Sequence, residues 1–181
     1  MTSFNKQRLK LIRTTYLGII TTLILTLVLN GCKVKYSFTG ASIPPEVKSI
    51  NIKYFPNNAP LIEPTLSQKF TDALRDKFTN ETSLTIVNDG GDLILEGSII
   101  DYRTRPLALQ GDDQAALNRL TIRLDVTYTN TFDDNMSFES NFERYSDYTS
   151  DQNLSEVQDA LIEEINQMLI EDIFNKAVVN W

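Results

Sequence analysis

One segment of the chain alternates strictly between apolar and polar residues. Apolar side chains occupy the even positions and polar ones the odd positions: Leu120, Ile122, Leu124, Val126 and Tyr128 against Thr121, Arg123, Asp125, Thr127 and Thr129. Because successive side chains of a strand point to opposite faces, this pattern predicts a strand with one buried and one wet face. The sheet that contains it therefore needs a covering layer on one side only.

The other elements supply that layer and the rest of the sheet. Runs rich in β-branched and aromatic residues predict strands at 47–55 and 93–102, and Met136, Phe138 and Phe142 mark a strand that returns after a turn. Apolar residues at three- and four-residue spacing predict two amphipathic helices: Leu66, Phe70, Ala73, Leu74 and Phe78, then Leu154, Val157, Leu161, Ile165, Met168, Leu169 and Ile173. Thr65 with Gln68, and Asn153 with Glu156, have capping-box spacing.

The order β-α-β-β-β-α predicts an α+β fold. We expect a single mixed or antiparallel sheet of about four strands, with two helices packed on one face and the other face left to water or a partner. The short extended piece at 84–87 is either a separate strand or part of the next one. Gly97 inside a strand indicates a bulge or a close backbone approach, and residues 103–118 form a long polar connection.

The N-terminal region has the features of an export signal. It contains four basic residues and no acidic one: Lys6, Arg8, Lys10 and Arg13. The apolar run that follows, Tyr16 to Leu29, is about fourteen residues long, which is shorter than the roughly 20 helical residues that a bilayer crossing needs. Residues 1–31 are therefore predicted to be a secretory signal peptide.

The signal ends in Leu29-Asn30-Gly31-Cys32, which resembles the bacterial lipobox. The resemblance implies a diacylglycerol and an N-acyl chain on Cys32 after cleavage behind Gly31, and no other cofactor is expected. A buried structural cysteine is the alternative interpretation of this single cysteine. The predicted organisation is a signal peptide at 1–31, a lipidated tether at 32–46 and an α/β domain at 47–181. Lys33 stands where inner-membrane retention usually requires Asp, so we expect the periplasmic side of the outer membrane.

Charge and composition limit the function. The whole chain carries −7 and residues 1–31 carry +4, which leaves −11 on the 150 residues of the mature chain. Such acidity argues against non-specific nucleic-acid binding. Histidine is absent and the only cysteine is expected to be acylated, so the usual general base, zinc ligands and thiol nucleophile are missing. No enzyme and no metal site is predicted. The oxygen-rich segment 147–153 lacks the Gly and Glu of a calcium loop, and a polar linker is the better interpretation.

Basic residues cluster around the long connection. The candidates are Arg103, Arg105, Arg119 and Arg123. Arginine binds phosphate in a two-pronged geometry, so these side chains are candidates to contact lipid phosphate or a sugar acid. The alternative is that each arginine is solvated and paired with nearby acids.

Four stretches together resemble the lipopolysaccharide (LPS)-assembly lipoprotein family, LptE: 36–40, 47–55, 91–97 and 118–122. The resemblance implies an outer-membrane lipoprotein that sits inside LptD, the LPS-translocating barrel, plugs it, assists its assembly and contacts LPS. The alternative function is a periplasmic lipoprotein that binds envelope glycan or lipid and has no barrel partner.

Overall fold

The computed structural model describes residues 43–61, 63–107 and 116–179. The signal peptide and Cys32 lie outside these residues. The elements, in chain order, are β1 Ser49–Ile52, α1 Leu66–Glu81, β2 Thr85–Ile86, β3 Leu93–Leu107, β4 Leu117–Asn130, a 3-10 turn Asp134–Met136, β5 Phe138–Thr149, α2 Leu154–Phe174 and a π-helical extension Asn175–Val179.

The strands form one mixed sheet in the order β2-β1-β3-β4-β5. β1 runs parallel to both β2 and β3, whereas β3, β4 and β5 form an antiparallel meander. The predicted α+β architecture is thus confirmed. The piece at 84–87 contributes the separate edge strand β2, which raises the number of strands to five.

Both helices pack on one face of the sheet and contact each other. Phe70 of α1 meets Phe55 edge-on at 5.2 Å between ring centroids, and Phe78 meets Phe174 of α2 in the same way at 5.1 Å. All four rings are almost completely buried. Since burial of one such side chain contributes roughly 1.5–3 kcal/mol, the amphipathic stripes predicted from the sequence hold the helices on the sheet.

β3 is longer than predicted. It continues to Leu107, so residues 103–107 belong to the sheet and the connection shrinks to 108–116. The prediction of a polar loop from residue 103 was wrong because these residues pair with β4 as far as Leu117. Pro106 lies where β1 no longer runs beside β3, and a proline is tolerated where its missing N–H would face an open edge.

Gly97 lies on β3 between the backbone of β4 and Phe55, which follows β1. A Cβ at this position would overlap the backbone oxygen of Asp125 and lie 2.6 Å from Cε1 of Phe55. The close approach predicted from the sequence is therefore confirmed, while the break in register occurs slightly later, between Ile99 and Asp101.

The predicted capping boxes do not form. The Thr65 hydroxyl donates to Glu63 at 2.9 Å instead of capping α1, and Asn153 donates from its amide to Glu156 at 3.3 Å at the start of α2. Within the described residues, neither helix combines the length and apolarity that a bilayer crossing requires.

Asp92 joins the starts of β1 and β3. Its carboxylate accepts hydrogen bonds from the backbone N–H groups of Lys48 at 2.8 Å and Ser49 at 3.0 Å. The bond from Lys48 is the main reason that the pKa of Asp92 lies below the ordinary value of an aspartate. Protonation in acid removes the charge that these donors stabilise.

Acid should therefore destabilise the domain through Asp92. A lowered folded-state pKa gives stability that is present above the unfolded pKa and is lost as the pH falls through the folded value. We expect the melting temperature to change little between about pH 7 and 5 and to fall below about pH 4. In Asp92→Asn the acid-induced fall should be smaller, as measured by circular dichroism melts across pH. Equal falls in the variant and the unchanged protein would contradict this role.

Candidate functional site

The sheet face opposite the helices is uncovered by the described residues, and we call it the open face. Register places on it the odd-numbered residues of β4 together with their partners on β3 and β5. The side chains are mostly polar or charged, as the strict alternation at 120–129 predicts. The open face is therefore the polar side of the sheet, and the helices cover its apolar side.

All four predicted arginines lie on the open face, next to the 108–116 connection. Arg105 pairs directly with Arg119 across β3 and β4, and Arg103 is opposite Thr121. Arg123 is two residues further along β4, opposite Asp101. The structure therefore brings the sequence-predicted residues together into one surface, which we call the arginine patch: Arg103, Arg105, Arg119 and Arg123.

Arg119 is held by two residues of β5. Its guanidinium donates two hydrogen bonds to the carboxylate of Asp147, at 2.7 and 2.9 Å, and lies 3.5 Å from the ring centroid of Tyr145. The hydrogen bond lowers the pKa of Asp147 and raises the pKa of Arg119, so both groups stay charged at neutral pH. Because these donors already bind the carboxylate of Asp147, they are not available to a ligand. Arg119 therefore mainly fixes the geometry of the patch.

Arg103 is also compensated. It forms an ion pair with Asp101 on its own strand and lies 3.5 Å from a carboxylate oxygen of Glu143 on β5. The Nε of Arg103 is nevertheless buried without a hydrogen-bond partner among the described residues. Arg103 thus links β3 to β5 across the open face.

Arg105 and Arg123 keep donors for a ligand. Neither forms an ion pair with a carboxylate of the described residues. Arg105 is exposed, while Arg123 is half-buried and its Nε has no hydrogen-bond partner there. A buried, unpaired donor is costly, so a bound anion would relieve that cost. These two arginines are the ones best placed to bind an anion.

The patch is locally positive although the chain is acidic. Its four arginines lie beside three acids, Asp101, Glu143 and Asp147. The other end of the open face carries Asp125, Glu139 and Glu96, of which Glu96 is paired with Lys53. The charge on the open face is therefore separated along the strands. An anionic ligand would be attracted to the arginine end and repelled from the other.

Sequence reasoning missed the three residues that β5 adds to this site. The sequence places Asp147 only in a segment with a weak likeness to a calcium loop, and no local pattern singles out Glu143 or Tyr145. Their contribution follows from strand register, which places them opposite Arg119, Arg123 and Thr121. Among the described residues, no group of three or more acidic, His or Cys side chains could hold a metal ion.

These features define a class of protein. Within the described residues, the fold is a single α+β domain with one uncovered polar sheet face and a positive patch on it. The chain belongs to the LptE lipopolysaccharide-assembly family, whose sequence profile matches residues 47–177. The family match makes it a protein of the LPS-assembly kind.

Several solved structures are similar to the chain. An uncharacterized lipoprotein B from Nitrosomonas europaea has 15% identity and a TM-score of 0.48, covering 79% of this chain and 87% of its own. A minor lipoprotein from Acinetobacter baumannii has 14% identity and a TM-score of 0.45, covering 74% and 97%. The rare lipoprotein B from Shewanella oneidensis has 13% identity and a TM-score of 0.43, covering 70% and 89%. A comparison with curated proteins found no match.

Proposed function

We propose that this chain is an outer-membrane lipoprotein that binds and plugs the LPS-translocating barrel LptD. In this role it assists assembly of the barrel and insertion of LPS into the outer leaflet, and it catalyses no reaction. The observation that carries the proposal is the LptE family match, which extends from just before β1 to the π-helical turn after α2.

The open face supports the proposal physically. The interior of a large outer-membrane barrel is polar, so a domain that enters it needs a polar, hydrogen-bonding surface. The open face offers hydroxyl, amide and charged groups on three adjacent strands, while the helix side contains the hydrophobic core. A barrel wall could therefore approach this face without exposing the core.

The arginine patch is proposed to contact LPS. LPS carries phosphate groups and sugar acids, which arginine recognises through paired N–H donors. Arg105 and Arg123 would make the direct contacts because no carboxylate of the described residues forms an ion pair with them. Arg103 and Arg119 would hold the nearby acids Asp101, Glu143 and Asp147 away from the ligand through their ion pairs.

The lipid anchor on Cys32 is proposed to hold the domain at the periplasmic side of the outer membrane. Each buried methylene contributes roughly 0.8 kcal/mol, so two or three acyl chains give stable attachment where one chain gives only marginal binding. Confinement to the membrane raises the effective concentration of the domain near a barrel. The anchor thus favours the encounter with LptD.

Affinity purification from detergent-solubilised outer membrane tests this proposal. We expect the tagged chain to recover LptD in about equal molar amount, because a plug must occupy each barrel. The intact mass of the same sample should show acyl chains on Cys32 and loss of residues 1–31. A matched Cys32→Ala chain, which cannot be lipidated, should recover much less of the barrel.

A different result would favour the alternative function. Recovery of envelope glycan or lipid without any barrel would indicate a periplasmic binding module and would contradict the plug. An unmodified thiol on Cys32 would contradict the proposed anchor whatever else is recovered.

A further inference from the structure

β5 forms a long edge of the sheet. It runs for 12 residues, Phe138–Thr149, and pairs only with β4 among the described residues. The opposite edge is the strand β2, which has 2 residues. Because an edge strand presents unpaired backbone groups, β5 offers the longest edge of the described sheet for pairing with another strand.

The register of β5 with β4 determines which backbone groups of β5 point outward. Beyond the end of the strand, the N–H of Ser150 donates to the carbonyl of Ala116 at 2.9 Å, and the register then continues without a break. Hydrogen-bonded pairs alternate along an antiparallel ladder, so the even-numbered residues of β5 face β4. The outward N–H and C=O groups therefore belong to the odd-numbered residues: Glu139, Asn141, Glu143, Tyr145 and Asp147.

This edge lacks most of the devices that block strand addition. Such devices include proline, a bulge, lysine and short length. The sequence of β5 contains no proline, glycine or lysine, and its pairing with β4 shows no register shift. The remaining device is negative charge, because the residues with outward backbone groups include Glu139, Glu143 and Asp147 and no basic residue.

The charges act against a second copy of this chain. An antiparallel pair of β5 strands related by two-fold symmetry about Glu143 would place Glu139 opposite Asp147 and Glu143 opposite itself. Like charges directly opposite each other destabilise a strand pair. Glu139 also has no ion-pair partner among the described residues, so a basic residue opposite it would supply one.

A groove of about 520 Å³ lies beside the edge on the helix side. Its lining includes Arg144, which pairs with Asp172 at 2.7 Å, and Lys176, which donates to Ser140 at 2.8 Å. An added strand would point alternate side chains into this groove. Hydroxyl or amide side chains would suit it because they can both donate and accept hydrogen bonds.

We propose that the β5 edge binds an extended segment of a partner protein by strand addition, with basic residues on the open face alternating with hydroxyl or amide residues over the groove. Backbone hydrogen bonds from the odd-numbered residues of β5 supply the affinity, and Glu139 and Glu143 select for the basic residues. The acidic side chains of β5 therefore disfavour pairing with a second copy of this chain and favour pairing with a basic strand. This proposal requires neither LPS nor LptD.

A fluorescent nine-residue peptide in which lysine alternates with threonine tests the proposal. Binding to the full lipidated chain in detergent would be followed by fluorescence anisotropy. We expect a matched peptide with glutamate in place of lysine to bind at least about tenfold more weakly, because several cross-strand attractions become repulsions. A third peptide keeps the lysines but carries N-methylated backbone amides, and it should lose binding because it cannot form the ladder.

Variants of β5 separate strand addition from simple charge attraction. Asn141→Pro removes an outward N–H while leaving the β4 ladder intact, and it should abolish binding, whereas Asn141→Ala should keep it. Glu139→Lys is a second test that does not depend on the folding of the proline variant. It should weaken binding about fivefold. Equal binding of the N-methylated peptide, or an unchanged affinity of the folded proline variant, would overturn the proposal.

Discussion

Replacing Gly97 with alanine should lower the free energy of unfolding by about 3 kcal/mol, the upper part of the range for overpacked cores. The added methyl group would overlap the backbone oxygen of Asp125 and press on the buried ring of Phe55. The Asp125 backbone belongs to β4, which pairs on both sides, so it cannot move without disturbing two ladders. The clash is therefore difficult to relieve.

Chemical denaturation followed by circular dichroism measures this loss. Ser98→Ala on the next residue of β3 is the matched control, because its side chain points to the open face; it should change stability by less than about 0.5 kcal/mol. A Gly97→Ala protein as stable as this control would contradict the close approach of β3 and β4.

The double substitution Arg105→Glu and Arg123→Glu should weaken LPS binding at least about tenfold. Hydrogen bonds to charged groups contribute about 1.5–3 kcal/mol each. Among the described residues, no carboxylate forms an ion pair with either of these two arginines, so their donors are available to LPS. Reversing both charges also makes the arginine patch negative, so phosphate would be repelled. Binding of purified LPS to the full lipidated chain, at fixed salt, measures the effect.

A second double variant controls for net charge. Lys48→Glu with Lys53→Glu changes the total charge by the same amount at the other end of the sheet, where Lys48 lies beside Asp92 and Lys53 pairs with Glu96. It should leave LPS binding within about twofold of the unchanged chain, since exposed charges beyond a Debye length are largely screened. Equal losses in the two double variants would show that LPS responds to overall charge and would contradict a site at the arginine patch.

The periodicity of the sequence predicted the elements that bury only one of their faces. The alternation from Leu120 to Thr129 predicted β4 and its wet face, and the apolar spacing of both helices predicted the layer that covers the sheet. The close approach at Gly97 was predictable because a glycine weakens the interior of a strand unless a neighbouring backbone needs the space. In each case the pattern is local, so neighbouring residues contain the whole signal.

Features that depend on long-range pairing were not predictable in this way. The polar residues 103–107 gave no local strand signal, yet they extend β3 because β4 continues beside them. Similarly, Glu143, Tyr145 and Asp147 join the arginine patch only through the register of β5 with β4. The capping box at Thr65 failed for a local reason: the Thr65 backbone is helical, with φ −92° and ψ −13°, instead of extended as an N-cap requires.

Depletion of the chain in its own bacterium tests the central claim most directly. The measurement is the amount of folded LptD barrel together with the amount of LPS on the cell surface, followed after expression is stopped. If the protein plugs and helps to assemble the barrel, both amounts should fall together and recover when the unchanged chain is supplied again. Normal levels of folded barrel and of surface LPS in depleted cells would contradict it.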